Sequence, residues 1–197
     1  MTFHEFWQPL TTIYPEDEAR WIGRFVFEMK YGLSHADLLM GCEERVDAEE
    51  LRLMQQRLLT GEPVQYVVGE TLFYEQWFYV DPSVLIPRPE TEELCRHVLA
   101  RTPYSWRGDI LDIGTGSGCI AVTLAAQLEF ASVTAWDVSP EALVTAARNA
   151  RRNGVLRGHR IQYRKDVVFQ LRDALNPPAD TARWDIIVSN PPYVCEQ

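Results

Sequence analysis

The sequence predicts an α/β fold, a parallel sheet covered by helices, with a small helical domain and a β-hairpin linker ahead of it. Three observations predict it. From Asp109 onward, short β-branched runs alternate with helix-forming stretches, a pattern that belongs to parallel strands joined by crossover helices. Before Gly61 the apolar residues recur at helical spacing. Between these regions, from Val64 to Ile86, aromatic and β-branched runs are separated by short polar breaks, the composition of hairpins.

In the first region, Trp21, Ile22, Phe25, Val26 and Met29 fall on one helical stripe, which ordinarily packs a core. Ser34 followed by Asp37 reads as a capping box ahead of Leu38 and Leu39. Asp47 as N-cap, with Glu50 three residues on, opens a helix whose Leu51, Met54, Leu58 and Leu59 share a face. Gly61 and Pro63 end it. These elements make a helical domain over 1–63. Tyr66-Val67-Val68, Leu72-Phe73-Tyr74 and Trp77-Phe78-Tyr79-Val80 then read as the strands of a linker over 64–87. Pro87 and Pro89 hold Arg88 extended before a helix capped at Thr91 that carries Leu94, Val98 and Leu99.

The third region, 88–197, alternates. Asp109 to Ile113 reads as a strand, Cys119 to Leu128 as a helix, and Ser132 to Trp136 as a second strand. Ser139 and Pro140 start a helix that Asn153-Gly154 stops. Ile161-Gln162-Tyr163 is expected as the third strand and Asp185 to Val188 as the fourth, with a helix through Gln170, Leu171, Ala174 and Leu175 between them. Ligands bind such sheets at the carboxyl ends of the strands.

A net charge of −9 over 197 residues disfavours a protein that grips nucleic acid through its phosphates, and suits a basic protein partner better. Cys42, Cys95, Cys119 and Cys195 show neither paired nor metal-ligand spacing with His4, His35, His97 and His159, and read as reduced thiols of a cytoplasmic protein. No run is long and apolar enough to be read as a membrane span, and the first residues lack a signal-peptide pattern.

The chemistry is concentrated in a few places. Asp112-Ile113-Gly114-Thr115-Gly116-Ser117-Gly118 follows the first strand and opens a helix, so its glycines let backbone approach a ligand. The dinucleotide fingerprint needs glycine at 119, where this chain has Cys119, so the spacing points to S-adenosylmethionine. Asp137, at the end of the second strand, offers a carboxylate to the two hydroxyls of a ribose, and also suits a helix cap. Asp166 is expected after the third strand, either as an acceptor for an adenine amino group or as part of a solvated turn. Asn190-Pro191-Pro192-Tyr193 makes a stiff corner that offers acceptors without backbone donors, a fit for a nitrogen bearing two hydrogens.

Gly61-Glu62-Pro63-Val64-Gln65-Tyr66, Val80-Asp81-Pro82, Leu85-Ile86-Pro87-Arg88-Pro89-Glu90-Thr91-Glu92, the glycine loop, Asp137-Val138-Ser139-Pro140-Glu141-Ala142 and Asn190-Pro191-Pro192-Tyr193 together resemble one family, the release factor glutamine methyltransferases. The resemblance runs from about residue 18 to the last residue. It implies a Rossmann-like, class I S-adenosylmethionine-dependent domain, and a helical domain that engages class 1 peptide chain release factors. The glutamine of the factor's Gly-Gly-Gln tip would be the methyl acceptor. It also implies that Gly114, Thr115, Gly116, Ser117 and Gly118 lie against the methionine end of the cofactor, Asp137 on the ribose, Asp166 with Val167 around the adenine, and Asn190 beside the cofactor. Asn190, Pro191, Pro192 and Tyr193 would hold the substrate amide, with Asn190, Pro191 and Tyr193 serving catalysis. The family's domain continues past this motif whereas the chain stops at Gln197, so an incomplete domain with an exposed fourth strand is expected. A ribosomal-protein glutamine, a nucleic-acid adenine and a non-catalytic cofactor- or partner-binding role stand as alternatives.

Overall fold

Side-chain caps and left-handed glycines set the helix ends in the first part of the chain. The computed structural model describes residues 1–41, 46–156, 166–177 and 183–191. They divide into two compact units between Gly69 and Glu70, so the hairpin falls with the second unit.

In the first unit, α1 (Phe3–Trp7) opens with a Thr2–Glu5 capping box and runs into a 3-10 turn, Gln8–Thr12. Helix α2 (Glu16–Tyr31) ends at Gly32, where φ is +65°. The expected capping box of Ser34 and Asp37 opens α3 (His35–Leu39). Asp47 caps α4 (Ala48–Leu59), its Oδ1 accepting from the N–H groups of Glu49 and Glu50. The core joins Phe6, Leu10, Phe27, Leu51 and Leu58, with Phe27 meeting Phe3 and Phe6 edge-on. The buried stripe of α2 is Ala19, Ile22, Gly23, Val26 and Phe27. Trp21, expected on that stripe, is instead 46% exposed and stacks on Phe25 along the helix flank.

Tyr66-Val67-Val68 is helix, not strand: α5 (Val64–Val68) starts after Pro63 and stops at left-handed Gly69. Val64, Val67 and Val68 bury themselves in the helical core, and that burial overrides the strand preference of a β-branched run. Arg57 donates to the carbonyls of Tyr66 and Val67 at the end of this short helix.

The second unit begins with a hairpin, β1 (Glu70–Phe73) and β2 (Gln76–Tyr79), turned by Tyr74 and Glu75 at φ +49° and +62°. Both central residues at positive φ make the tight turn whose twist matches the strands. There follow α6 (Pro89–Leu99), β3 (Asp109–Ile113), α7 (Cys119–Gln127), β4 (Ser132–Asp137), α8 (Pro140–Arg152), β5 (Val167–Leu171) and β6 (Ile186–Ser189). Strands β5, β4, β3 and β6 pair in that order, all parallel. Helix α7 is buried from Cys119 to Ala125, and its small side chains let it lie close to the sheet. Among the described residues β6 pairs with β3 alone, and Ile187 on it is 60% exposed.

Two expectations fall differently. The strand expected at Ile161-Gln162-Tyr163 lies outside the described residues. The helix expected through Gln170, Leu171, Ala174 and Leu175 is not formed, because Val167–Leu171 is itself the strand beside β4 and Ala174 and Leu175 form a turn. Its β-branched start pairs Val167 with Val133, and that ladder carries the chain through Leu171 opposite Asp137. No helix of the described residues is long and apolar enough to cross a membrane.

A row of polar residues on α8 clasps the hairpin and the segment just after it. Thr145 Oγ1 donates to Asp81 Oδ2, Asn149 pairs with both backbone groups of Tyr79, and Asn153 Nδ2 donates to the carbonyl of Trp77. The register holds because four helix residues rise about 6 Å while two strand residues advance about 6.6 Å. Arg148 and Arg152 stack over the Tyr79 ring at 3.5 and 4.4 Å, and Arg152 also pairs with Glu70 at 2.8 Å.

Candidate active site

The register of β6 against β3 decides where the proline corner goes. Ile113 pairs with Ser189, and Ser189 Oγ donates to the Ile113 carbonyl at 2.8 Å, so Asn190 leaves the sheet beside Gly114. A cleft opens there, lined among others by Pro87, Thr91, Gly114, Gly116, Ser117 and Asn190. Asn190 Nδ2 donates to Thr91 Oγ1 at 2.7 Å. Thr91 is therefore not the cap of its helix. Arg88 is the N-cap, extended at φ −110° and ψ 149°, and Pro89 takes the first turn, where its missing N–H costs nothing.

Gly114, Gly116 and Gly118 all have positive φ, so the glycine loop turns through left-handed conformations that side chains resist. Above Gly114 and Gly116 an added Cβ would meet nothing within 4 Å, which leaves the backbone open to a ligand. At Gly118 it would lie 3.1 Å from the Ala146 Cβ, so here glycine also lets α7 and α8 approach. The end of β4 anchors the loop: the Trp136 carbonyl accepts from the N–H groups of Gly114 and Thr115, and Asp137 Oδ2 accepts from Gly116 N–H at 2.8 Å. Asp137 Oδ1 accepts from Ser139 N–H, and Ser139 Oγ caps α8 by accepting from Ala142 N–H. The helix cap is thus Ser139, and Asp137 keeps acceptor capacity for further donors at the strand end.

Asp112 lies wholly buried beneath this loop. Its Oδ2 accepts from Thr115 Oγ1 at 2.7 Å, and its Oδ1 has no hydrogen-bond partner, the Ala121 backbone lying near the carboxylate without closing a bond. Burial pushes its pKa up to about 6, the Thr115 bond opposing and the charge of Asp137 adding to the rise. The Ser117 hydroxyl, also buried, finds no full partner, only the weak thiol of Cys119 beside it. Burial holds the thiols of Cys95 and Cys119 up at about 12, which keeps them protonated and poorly nucleophilic.

A raised carboxylate pKa favours the protonated native state, so the stability it lends at low pH is lost as pH rises from roughly 4, the unfolded value, to about 6. Asp112→Asn removes that dependence. Measured by urea unfolding without ligand, the variant should gain on the wild type by about 2 kcal/mol between pH 4.5 and pH 7. An unchanged difference across that range would show that Asp112 does not titrate there.

Of the residues singled out in the sequence, Gly114, Thr115, Gly116, Ser117, Gly118, Asp137 and Asn190 come together at the carboxyl edge of the sheet, with Pro191 following. Pro192 and Tyr193 lie outside the described residues. Asp166 and Val167 do not join them. Val167 begins β5 opposite Val133, and with Asp166 it sits at the amino edge, a strand length of roughly 16 Å from the loop. The residues that β5 does deliver are Arg172, whose N–H donates to the Asp137 carbonyl, and Asp173 after it. Asp173 is exposed, and its carboxylate, held low by Asn176 and the Leu175 N–H, is an available acceptor. The signal for it was the β-branched and aromatic run Val167-Val168-Phe169, which opens the strand that ends two residues before Asp173.

The arrangement fits S-adenosylmethionine: open glycine backbone, unpartnered buried polar atoms at Asp112 and Ser117, and strand-end carboxylates at Asp137 and Asp173. Residues 91–197 match the family described as methyltransferase small domain, and residues 10–69 match the PrmC N-terminal domain. The release factor glutamine methyltransferase of Neisseria gonorrhoeae is 43% identical over 98% of this chain and 66% of its own length. That of Chlorobaculum tepidum is 40% identical over 91% of this chain and 62% of its own length. The chain thus spans slightly less than two thirds of these curated relatives. A solved ribosomal protein L11 methylase from Lactobacillus delbrueckii subsp. bulgaricus is 29% identical, covers 56% of this chain and 50% of its own, and has a TM-score of 0.42.

Proposed function

Because the chain belongs to the methyltransferase small domain family, we propose that it methylates the side-chain amide nitrogen of a glutamine, the one in the Gly-Gly-Gln tip of class 1 peptide chain release factors, in the cytoplasm. The observation that supports the reading is that Asn190 lies beside Gly114, so a corner able to accept from an amide would adjoin the loop suited to the methyl donor. The helical unit with its PrmC N-terminal domain match supports a protein substrate.

S-adenosylmethionine supplies an electrophilic methyl group when bound. Gly114 to Gly118 would hold its methionine end, Asp137 its ribose and Asp173 the region next along the edge. The difficulty lies with the acceptor, since an amide nitrogen delocalises its lone pair into the carbonyl. Asn190 Oδ1 and the Pro191 carbonyl would each accept one amide hydrogen, which fixes the nitrogen with its face toward the donor. Orientation of this kind replaces a costly bimolecular encounter. A matched base is not needed for the methyl step, because the proton can leave afterwards to water. Tyr193 would pack on the amide plane.

The test offers methyl-labelled S-adenosylmethionine with a release factor, a ribosomal protein and adenine-containing DNA side by side. Mass spectrometry should find the label on the Gly-Gly-Gln glutamine. Label on DNA or on the ribosomal protein alone would replace this reading.

A further inference from the structure

We propose that Thr91 is a positioning residue for methyl transfer: its hydroxyl holds Asn190 with the carboxamide nitrogen inward, so that the carboxamide oxygen is presented to the substrate. The inference rests on the proposed reading of Asn190 as the amide acceptor. An asparagine carboxamide has a broad, nearly two-fold terminal torsion, and its two orientations are close in shape and opposite in chemistry. With the oxygen toward the substrate it accepts from an N–H₂ group. Turned over, it confronts that group with donors and repels it. Something near Asn190 must choose.

The neighbour at the right place is Thr91 Oγ1, which accepts from Asn190 Nδ2 at 2.7 Å. The residue that carries this hydroxyl is itself held in place. Thr91 is 5% exposed and sits in the first turn of α6, whose Cys95 and Val98 are buried in the core. The next residue, Glu92, accepts from the Tyr74 N–H in the hairpin turn at 3.0 Å and pairs with Arg96 at 2.6 Å, so the turn that carries Thr91 is tied on a second side. On the other partner, the Ser189 hydroxyl bond to Ile113 fixes the backbone just before Asn190. Both ends of the Thr91–Asn190 bond are thus held, and the 2.7 Å contact turns the carboxamide oxygen away from Thr91. This gives the Pro87-Arg88-Pro89-Glu90-Thr91-Glu92 segment a function: its prolines start α6 at a set point, which places the hydroxyl beside the corner.

Two substitutions separate this role from simple packing. Thr91→Val keeps the shape and removes the hydroxyl, whereas Thr91→Ser keeps the hydroxyl and removes a methyl group. If Thr91 positions Asn190, Thr91→Val lowers kcat for methylation of a Gly-Gly-Gln peptide by about 10- to 100-fold. S-adenosylmethionine affinity by calorimetry stays within about threefold of wild type, and Thr91→Ser recovers most of the rate. If Thr91 only fills space, the order reverses, with Val harmless and Ser costly, and the proposal is overturned. A second readout needs no substrate: in the protein labelled with ¹⁵N, the Asn190 side-chain amide signals should shift and exchange faster with water in Thr91→Val than in wild type or Thr91→Ser. Should the wild type methylate no glutamine peptide, the proposed function fails on its own. The amide signals then still judge the contact, and unchanged signals in Thr91→Val overturn it.

Discussion

Replacing Asn190 with alanine should reduce methyl transfer by about 10³-fold or more while S-adenosylmethionine affinity stays within about fivefold of wild type. In the proposed reading the side chain would do one thing for the acceptor that no neighbour duplicates: from its place beside the Gly114 backbone it would offer an oxygen to one of two amide hydrogens. The loop that would hold the donor is anchored elsewhere, through the Trp136 carbonyl and Asp137, so its geometry does not depend on Asn190. Loss of the bond to Thr91 should cost the fold only about 1 kcal/mol. Single-turnover methylation and calorimetric titration check the division. An equal loss of transfer and of cofactor binding would mean that Asn190 holds the donor rather than the acceptor.

The largest expected effect on stability comes from Asn149→Ala. Asn149 is fully buried on α8, and its side chain closes three hydrogen bonds, from Tyr79 N–H at 2.7 Å, to the Tyr79 carbonyl at 2.9 Å and to the Ser117 carbonyl at 2.8 Å. Alanine leaves those backbone groups without partners in a site too closed for water to replace each bond. The cost should be about 3–5 kcal/mol in urea unfolding. Thr145→Ala and Asn153→Ala, on the same clasp with fewer side-chain bonds at stake, should cost about 1 kcal/mol each. Cofactor affinity should also fall in Asn149→Ala, because Ser117 belongs to the glycine loop. A variant within about 1 kcal/mol of wild type would show that the hairpin's other contacts, the buried Phe73 and Phe78 among them, hold it without Asn149.

Much of the local architecture was legible because its causes are local. Ser34 with Asp37 and Asp47 with Glu50 cap their helices as written, since a cap is made within one turn of chain. The strand, glycine loop and helix from Asp109 to Gln127 follow from β-branched residues, obligatory positive φ and a run of small helix formers. Pro140 after Ser139 starts α8 for a similar reason. The corner at Asn190 was visible too, because proline constrains the residue before it wherever it stands.

Other features rest on distant partners. Val64–Val68 looks like a strand by composition, and only its burial against the helices of the first unit makes it α5. The frame of β5 is fixed by pairing with β4, which moves the strand-end acid from Asp166 to Asp173 and exchanges one sheet edge for the other. Asp112 reads as a motif residue; that it is sealed from water with one oxygen unpartnered is a property of the packed loop. The sequence by itself determined the caps at Ser34 and Asp47, the glycine turn, the sheet's parallel alternation and the stiff corner, effects that arise from short stretches of chain. Tertiary structure alone decided which acid stands at the carboxyl edge of the sheet, how Asn149 ties hairpin to loop, and which way Asn190 faces, because each depends on a contact between residues far apart in the chain, 99 positions for Thr91 and Asn190.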